Sequence, residues 1–174
     1  VFLASGATAA DGHGSKDDKI KLAMSAAPSS ISAEATIKDV DGTVLQEGSN
    51  GWTCYPGVPI MPGSVDPMCN DAVWEEWIAA ALAGAPKPPT KIGFSYMLQG
   101  DALVNNDDPT ATDKSKGTWI KEGPHLMIVS PESVMGDLST SPAVPGPYVM
   151  FGGTPVFHVM VPLADRAEGT LIVH

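Results

Sequence analysis

The chain has 174 residues, 43% of them apolar, with 18 glycines and 16 prolines. That length suggests one domain, or one domain with a tail, and so much Gly and Pro fits a loop-rich protein better than a helical one. Ten Lys and Arg against 20 Asp and Glu give a net charge of −10 with no basic cluster, which argues against a nucleic-acid partner; no apolar run approaches the roughly 18 residues of a membrane-spanning helix.

Residues 1–10 are small and apolar and contain Ala7-Thr8-Ala9, the A-x-A pattern of a cleavage site, although the basic start of a signal peptide is missing. Residues 1–16 are therefore expected to be a signal-peptide remnant or a flexible N-terminal tail, and residues 17–174 a single globular domain. His13 falls in the polar, Gly-rich lead-in and is expected to be solvated. A short helix is predicted over Asp17–Ala27, where Ile20, Met24 and Ala27 keep the i, i+4, i+7 spacing. Asp17 and Asp18 favour its start, and Pro28 ends it. Ala35–Gln46 predicts a hairpin, since Asp41-Gly42 stands between β-formers.

Residues 51–67 read as an irregular surface excursion. Cys54 and Cys69 are the only cysteines. In an exported protein a pair this close is most simply a disulfide, worth about 3 kcal/mol in the chain-entropy account. Two buried thiols or half of a metal site are the alternatives, and the spacing is too long for C-x-x-C. Asp71 caps a predicted helix over Ala72–Leu82. Its apolar face is Val73, Trp77, Ala80 and Ala81, widened by Trp74, Ile78 and Leu82. Glu75 and Glu76 are expected to be solvated, and Gly84 and Pro86 to close the helix.

Lys91–Gln99 alternates as a strand. Residues 100–117 are rich in side-chain oxygens and read as a solvated loop with Asx turns rather than a hard-cation site. Strands are expected at Thr118–Lys121 and His125–Val129. A short helical turn over Ser130–Leu138 should have Ser130 as cap and Pro131 first. A Pro-rich connection over Ser139–Pro147 leads to a hairpin, Tyr148–Phe151 and Thr154–Val161 about Gly152-Gly153. A β-prone tail follows, ending at His174. The expected fold class is α+β: a mostly antiparallel, loop-rich β-sheet of about five to seven strands with the two helices packed on one face.

Two strands carry the same signature. Pro124-His125-Leu126-Met127 and Phe157-His158-Val159-Met160 both contain His-x-Met. Side chains two apart on a strand share a face, so His125 projects with Met127 and His158 with Met160. Two imidazoles and two thioethers from neighbouring strands would suit a soft metal, copper above all, with Met97 and Met150 as further thioethers. The competing reading makes the methionines core gap-fillers and the histidines buried, satisfied groups.

The chain carries several distinctive words: Asn50-Gly51-Trp52-Thr53-Cys54, Asp66-Pro67-Met68-Cys69, Gly93-Phe94-Ser95-Tyr96-Met97-Leu98-Gln99-Gly100, Asp108-Pro109-Thr110-Ala111-Thr112, Gly123-Pro124-His125-Leu126-Met127-Ile128 and Pro147-Tyr148-Val149-Met150. On these, from about residue 19 to 162, the chain resembles a family of small exported bacterial proteins described only as hypothetical. The resemblance implies export, periplasmic or secreted, and a single domain; it implies no chemistry.

The function expected first is thus an exported protein binding copper through His125, Met127, His158 and Met160. The alternative is a small hydrolase with His125 or His158 as base and Ser95 or an aspartate as partner. Against it, the sequence has no nucleophile elbow, P-loop or dinucleotide fingerprint. A third reading is a secreted binding or assembly module, which an exposed cluster of Trp52, Trp74 and Tyr55 would favour.

Overall fold

Ser15 and Asp18 begin the first helix by bonding to each other's backbone. The Asp18 N–H donates to Ser15 Oγ at 3.3 Å and the Ser15 N–H to Asp18 Oδ2 at 3.1 Å, a capping box. The computed structural model describes residues 14–61, 63–166 and 171–173; residues 1–13 of the expected tail, His13 among them, and His174 lie outside the described residues, while Ser15 and Lys16, expected in that tail, belong to the first helix. Helix α1 spans Lys16–Met24. It stops short of Ala27, where Ser25 Oγ turns back to donate to the Leu22 carbonyl at 2.7 Å. A single turn, α2 (Ser29–Ser32), follows Pro28.

The strands are β1 (Thr36–Lys38), β2 (Val44–Gln46), β3 (Thr53–Tyr55), β4 (Met68–Asn70), β5 (Gly93–Met97), β6 (Leu103–Asn105), β7 (Thr118–Lys121), β8 (His125–Val129), β9 (Tyr148–Met150), β10 (His158–Pro162) and β11 (Leu171–Val173). Helix α3 covers Ala72–Leu82 and α4 covers Glu132–Met135. The architecture is mostly β with few helices. Eight strands form one sheet in the order β2-β1-β3-β4-β5-β8-β10-β9, and three form a second, β11-β7-β6. β1 runs parallel to β3; the other pairings among the described residues are antiparallel.

Both hairpin signals join paired strands, although the second strand of the later pair begins at His158 rather than Thr154. β1 and β2 pair across Asp41-Gly42, where Gly42 takes φ +88° and Asp41 Oδ1 accepts the Thr43 N–H at 2.8 Å. β9 and β10 pair across a connection that contains Gly152-Gly153. The 51–67 excursion instead supplies β3 and leads to β4, which pair so that Cys54 and Cys69 stand opposite each other and form a disulfide.

Alternate residues of β3, β4 and β5 enter different clusters. Cys54, Cys69 and Tyr96 pack with Ala23, Ala26 and Ile37, beneath α1. Tyr55, Met68 and Met97 pack with Trp74 and Ile78 of α3. Since neighbours on a strand point to opposite sides, the two helices cover opposite faces of the sheet there.

Asp71 fastens α3 to β5. Its Oδ1 accepts the Trp74 N–H at 2.8 Å as the helix cap, and its Oδ2 accepts the Phe94 N–H at 2.9 Å. Gly93 permits the close approach: a Cβ there would lie 2.8 Å from Val73 Cβ. Glu75 is engaged rather than solvated, accepting from Tyr55 Oη and Asn70 Nδ2, each at 2.7 Å. The oxygen-rich stretch gives β6 and then turns of the expected kind, with Asn105 Oδ1 accepting the N–H groups of Asp107 and Asp108 at 2.9 Å.

Candidate functional site

β8 alternates buried and half-buried, so His125, Met127 and Val129 face inward together. β10 lies beside it, antiparallel, with Met160 opposite Met127 and Pro162 opposite His125. The two His-x-Met strands are therefore neighbours, and all four side chains share one face. Antiparallel pairing nonetheless sends the imidazoles to opposite ends of the pair. His125 aligns with Pro162, four residues beyond His158, a backbone offset of about 13 Å. The methionine pair lies between them.

Other thioethers fill the neighbouring positions. Met150 of β9 is the register partner of His158, Met97 of β5 that of His125, and Met68 and Met97 share the same cluster. Five methionines, Met68, Met97, Met127, Met150 and Met160, thus join the core beneath α3.

Both imidazoles are held in one tautomer. His125 Nδ1 contacts the Gly123 carbonyl at 2.7 Å, and His158 Nδ1 contacts the Val156 carbonyl at 3.1 Å. A carbonyl only accepts, so each Nδ1 carries the proton and each Nε2 keeps its lone pair. Burial lowers the pKa of both. It takes His158 down to about 4 against the opposing carbonyl bond, with the His125 charge adding to the effect. For His125 burial again outweighs the bond to Gly123 and the negative charge of Glu122. The His125 Nε2 is buried and has no hydrogen-bond partner among the described residues.

His158 sits among aromatic rings. Phe151, Trp74 and Trp77 meet it edge-on, with centroids at 5.5, 5.7 and 6.0 Å. Phe151 reaches this position with φ +55°, a left-handed conformation costly for a bulky residue. Its N–H donates to the Asn106 carbonyl at 2.8 Å, which helps hold the turn.

These rings wall a cavity of about 400 Å³. Met68, Met97, Met127 and Met150 form buried parts of its lining, while exposed Ile60, Pro86, Pro109 and Pro155 mark the outer part. Its ionisable members are His158 and Asp101. Burial pushes the Asp101 carboxyl up to about 7; the Ala102 N–H opposes this, and the charges of Asp66 and Glu122 add to it. Two further polar atoms belong to the lining residues. The indole Nε1–H groups of Trp74 and Trp77 are both buried with no partner among the described residues.

Ser95 is buried, and its Oγ donates to Asn70 Oδ1 at 2.6 Å. Its proton therefore goes to an amide rather than to a histidine. Trp52 packs with Tyr96 on the disulfide side, whereas Trp74 and Tyr55 are buried on the other, so the three form no exposed cluster. Among the described residues no three His, Cys, Asp or Glu side chains converge as metal ligands. No helix among the described residues is long and apolar enough to cross a membrane.

Asp101 and the paired tryptophans escaped the sequence reading. In the sequence Trp74 and Trp77 have ordinary core spacing on α3, and Asp101 falls inside the polar stretch 100–117. The available signal was the spread of methionines through predicted strands. No known family model, curated protein or solved structure matches the chain.

Proposed function

We propose that the protein is an extracytoplasmic binding protein for a small, mostly apolar ring molecule that carries a hydrogen-bond acceptor. The cavity supports this reading: about 400 Å³, lined by thioethers and aromatic rings, and bordered by two indoles whose buried N–H groups lack a partner among the described residues. The volume lies within the range of small-molecule sites, about 300–1,000 Å³. A cavity of about 150 Å³ takes benzene, so this one suits two or three fused rings.

A buried donor without a partner costs about 1–3 kcal/mol, and an indole rotation that turns either N–H into the cavity would let a ligand oxygen recover part of it. Burial raises the Asp101 carboxyl well above the usual carboxylate range, which favours a neutral ligand over an anionic one. Unbranched methionines adapt to ligands of varied outline. The Cys54–Cys69 disulfide supports an oxidising compartment, periplasmic or extracellular.

The test is a matched pair of probes, 2-acetylnaphthalene and 2-ethylnaphthalene, titrated while tryptophan emission is followed. The acetyl compound should bind about tenfold more tightly, the worth of one hydrogen bond. Ala81→Phe, which fills the lining from α3, should abolish binding of both while the protein stays folded. Absence of binding by either probe, or equal binding by the filled variant, would remove this reading.

A further inference from the structure

We propose that the floor of the cavity also holds one soft monovalent cation, Cu(I) or its redox-inert counterpart Ag(I), through His158 Nε2 and the thioether sulfurs of Met150 and Met127. The argument rests on three placements. His158 and Met150 are register partners, so their Cβ atoms lie about 4.5–5.5 Å apart. Met127 pairs with Met160, two residues along from His158, and is its diagonal neighbour at about 7–8 Å, within reach of a long side chain. All three residues line the same cavity, so an ion reaches them without opening the core.

The donor chemistry selects the metal. The bond from His158 Nδ1 to the Val156 carbonyl leaves Nε2 as the free lone pair, the usual outer-shell arrangement of a ligating histidine. One imidazole and two thioethers are soft, neutral donors, matched to Cu(I) and poor for calcium or magnesium. Zinc is disfavoured for want of a thiolate or a third hard donor, because both cysteines are in the disulfide. The Asp101 carboxyl stands in the same lining as the single positive charge. The set differs from the sequence-derived one: Met150, there a further thioether, becomes a ligand, while Met160, which does not line the cavity, and His125, whose alignment with Pro162 carries it away from His158, drop out. His125 does not line the cavity.

This proposal does not depend on an organic ligand; failure of the naphthalene probes leaves it standing. The protein, labelled with ¹³C-methyl methionine, is titrated with Ag(I), and in parallel with Cu(I) under anaerobic reductant against a chromogenic Cu(I) chelator. One equivalent should bind, shifting the Met127 and Met150 methyl signals while those of Met24 and Met135 stay put. Met150→Leu and Met127→Leu conserve volume and should keep the fold. Each should weaken binding about tenfold or more. His158→Gln should abolish it, and His125→Gln should leave it unchanged. Unshifted Met127 and Met150 signals, leucine variants that bind like the parent, or loss of binding in the His125 variant alone would each overturn the assignment.

Discussion

Asp101 and His158 face one cavity and titrate in opposite senses. His158 has its pKa depressed to about 4 in the fold, against about 6.5 in an unfolded chain. Between those values the unfolded chain binds a proton that the folded one refuses, so stability falls as pH drops through this window. Asp101 is raised to about 7 against 3.8. Between pH 3.8 and 7 the folded state keeps a proton that the unfolded chain releases, so its contribution is lost as pH rises. Asp101→Asn removes the second slope and keeps the first. The variant should therefore gain stability relative to the parent as pH rises from 4 to 7, by ~4 kcal/mol at most, and the gap should stay level above 7. Urea midpoints at pH 5 and pH 8 measure the change; a gap that shrinks with rising pH would show that the carboxyl is not protonated in the fold. Glu75 offers a smaller effect at the same scale. Tyr55→Phe deletes one of its donors and should cost about 1 kcal/mol.

Helix α1 is tied to the sheet through charge as well as alanine packing. Lys19 Nζ meets Asp39 Oδ2 at 2.7 Å with both side chains largely buried. Asp39→Ala removes the carboxylate 2.7 Å from a largely buried ammonium and should destabilise the protein, by about 3–5 kcal/mol at most, whereas Lys19→Met with Asp39→Ala should recover much of that loss. A double-mutant cycle by urea denaturation distinguishes the two outcomes. Helix α3 depends on shape: the Cβ in Gly93→Ala would meet Val73, pushing the helix from β5 at a cost of about 1–3 kcal/mol. Both helices were legible in the sequence, α3 with its start at the observed boundary because Asp71 caps it locally, and α1 by its apolar spacing, although its Ser15 cap and its end at Met24, four residues before Pro28, were not. β3, β4 and β6 were not. Each is three residues long, and β3 and β4 are buried on both faces, so no alternation reveals them. The side on which each helix lands depends on strand order, which no local pattern carries. The His-x-Met strands were legible by period. Their register was not, and register is what separates His125 from His158 and brings Met150 to His158.

At the scale of the molecule, the sheet separates a covalently stapled layer from a layer built for access. The disulfide joins β3 to β4 in the alanine-rich cluster under α1, while Met68, adjacent to Cys69 in sequence, points the other way into the cavity lining. Stability and binding should therefore respond separately to loss of the bridge. A Cys54→Ala, Cys69→Ala variant frees a loop of 15 residues in the unfolded chain, which should lower stability by about 3 kcal/mol. The folded fraction should still bind the acetylnaphthalene probe and Ag(I) with unchanged affinity, since no ligand-facing residue belongs to the disulfide cluster. Thermal melts give the first quantity, and titrations well below the melting transition give the second. Weakened binding by fully folded variant would mean that the bridge sets the position of Met68 across the sheet, and that the two layers act as one.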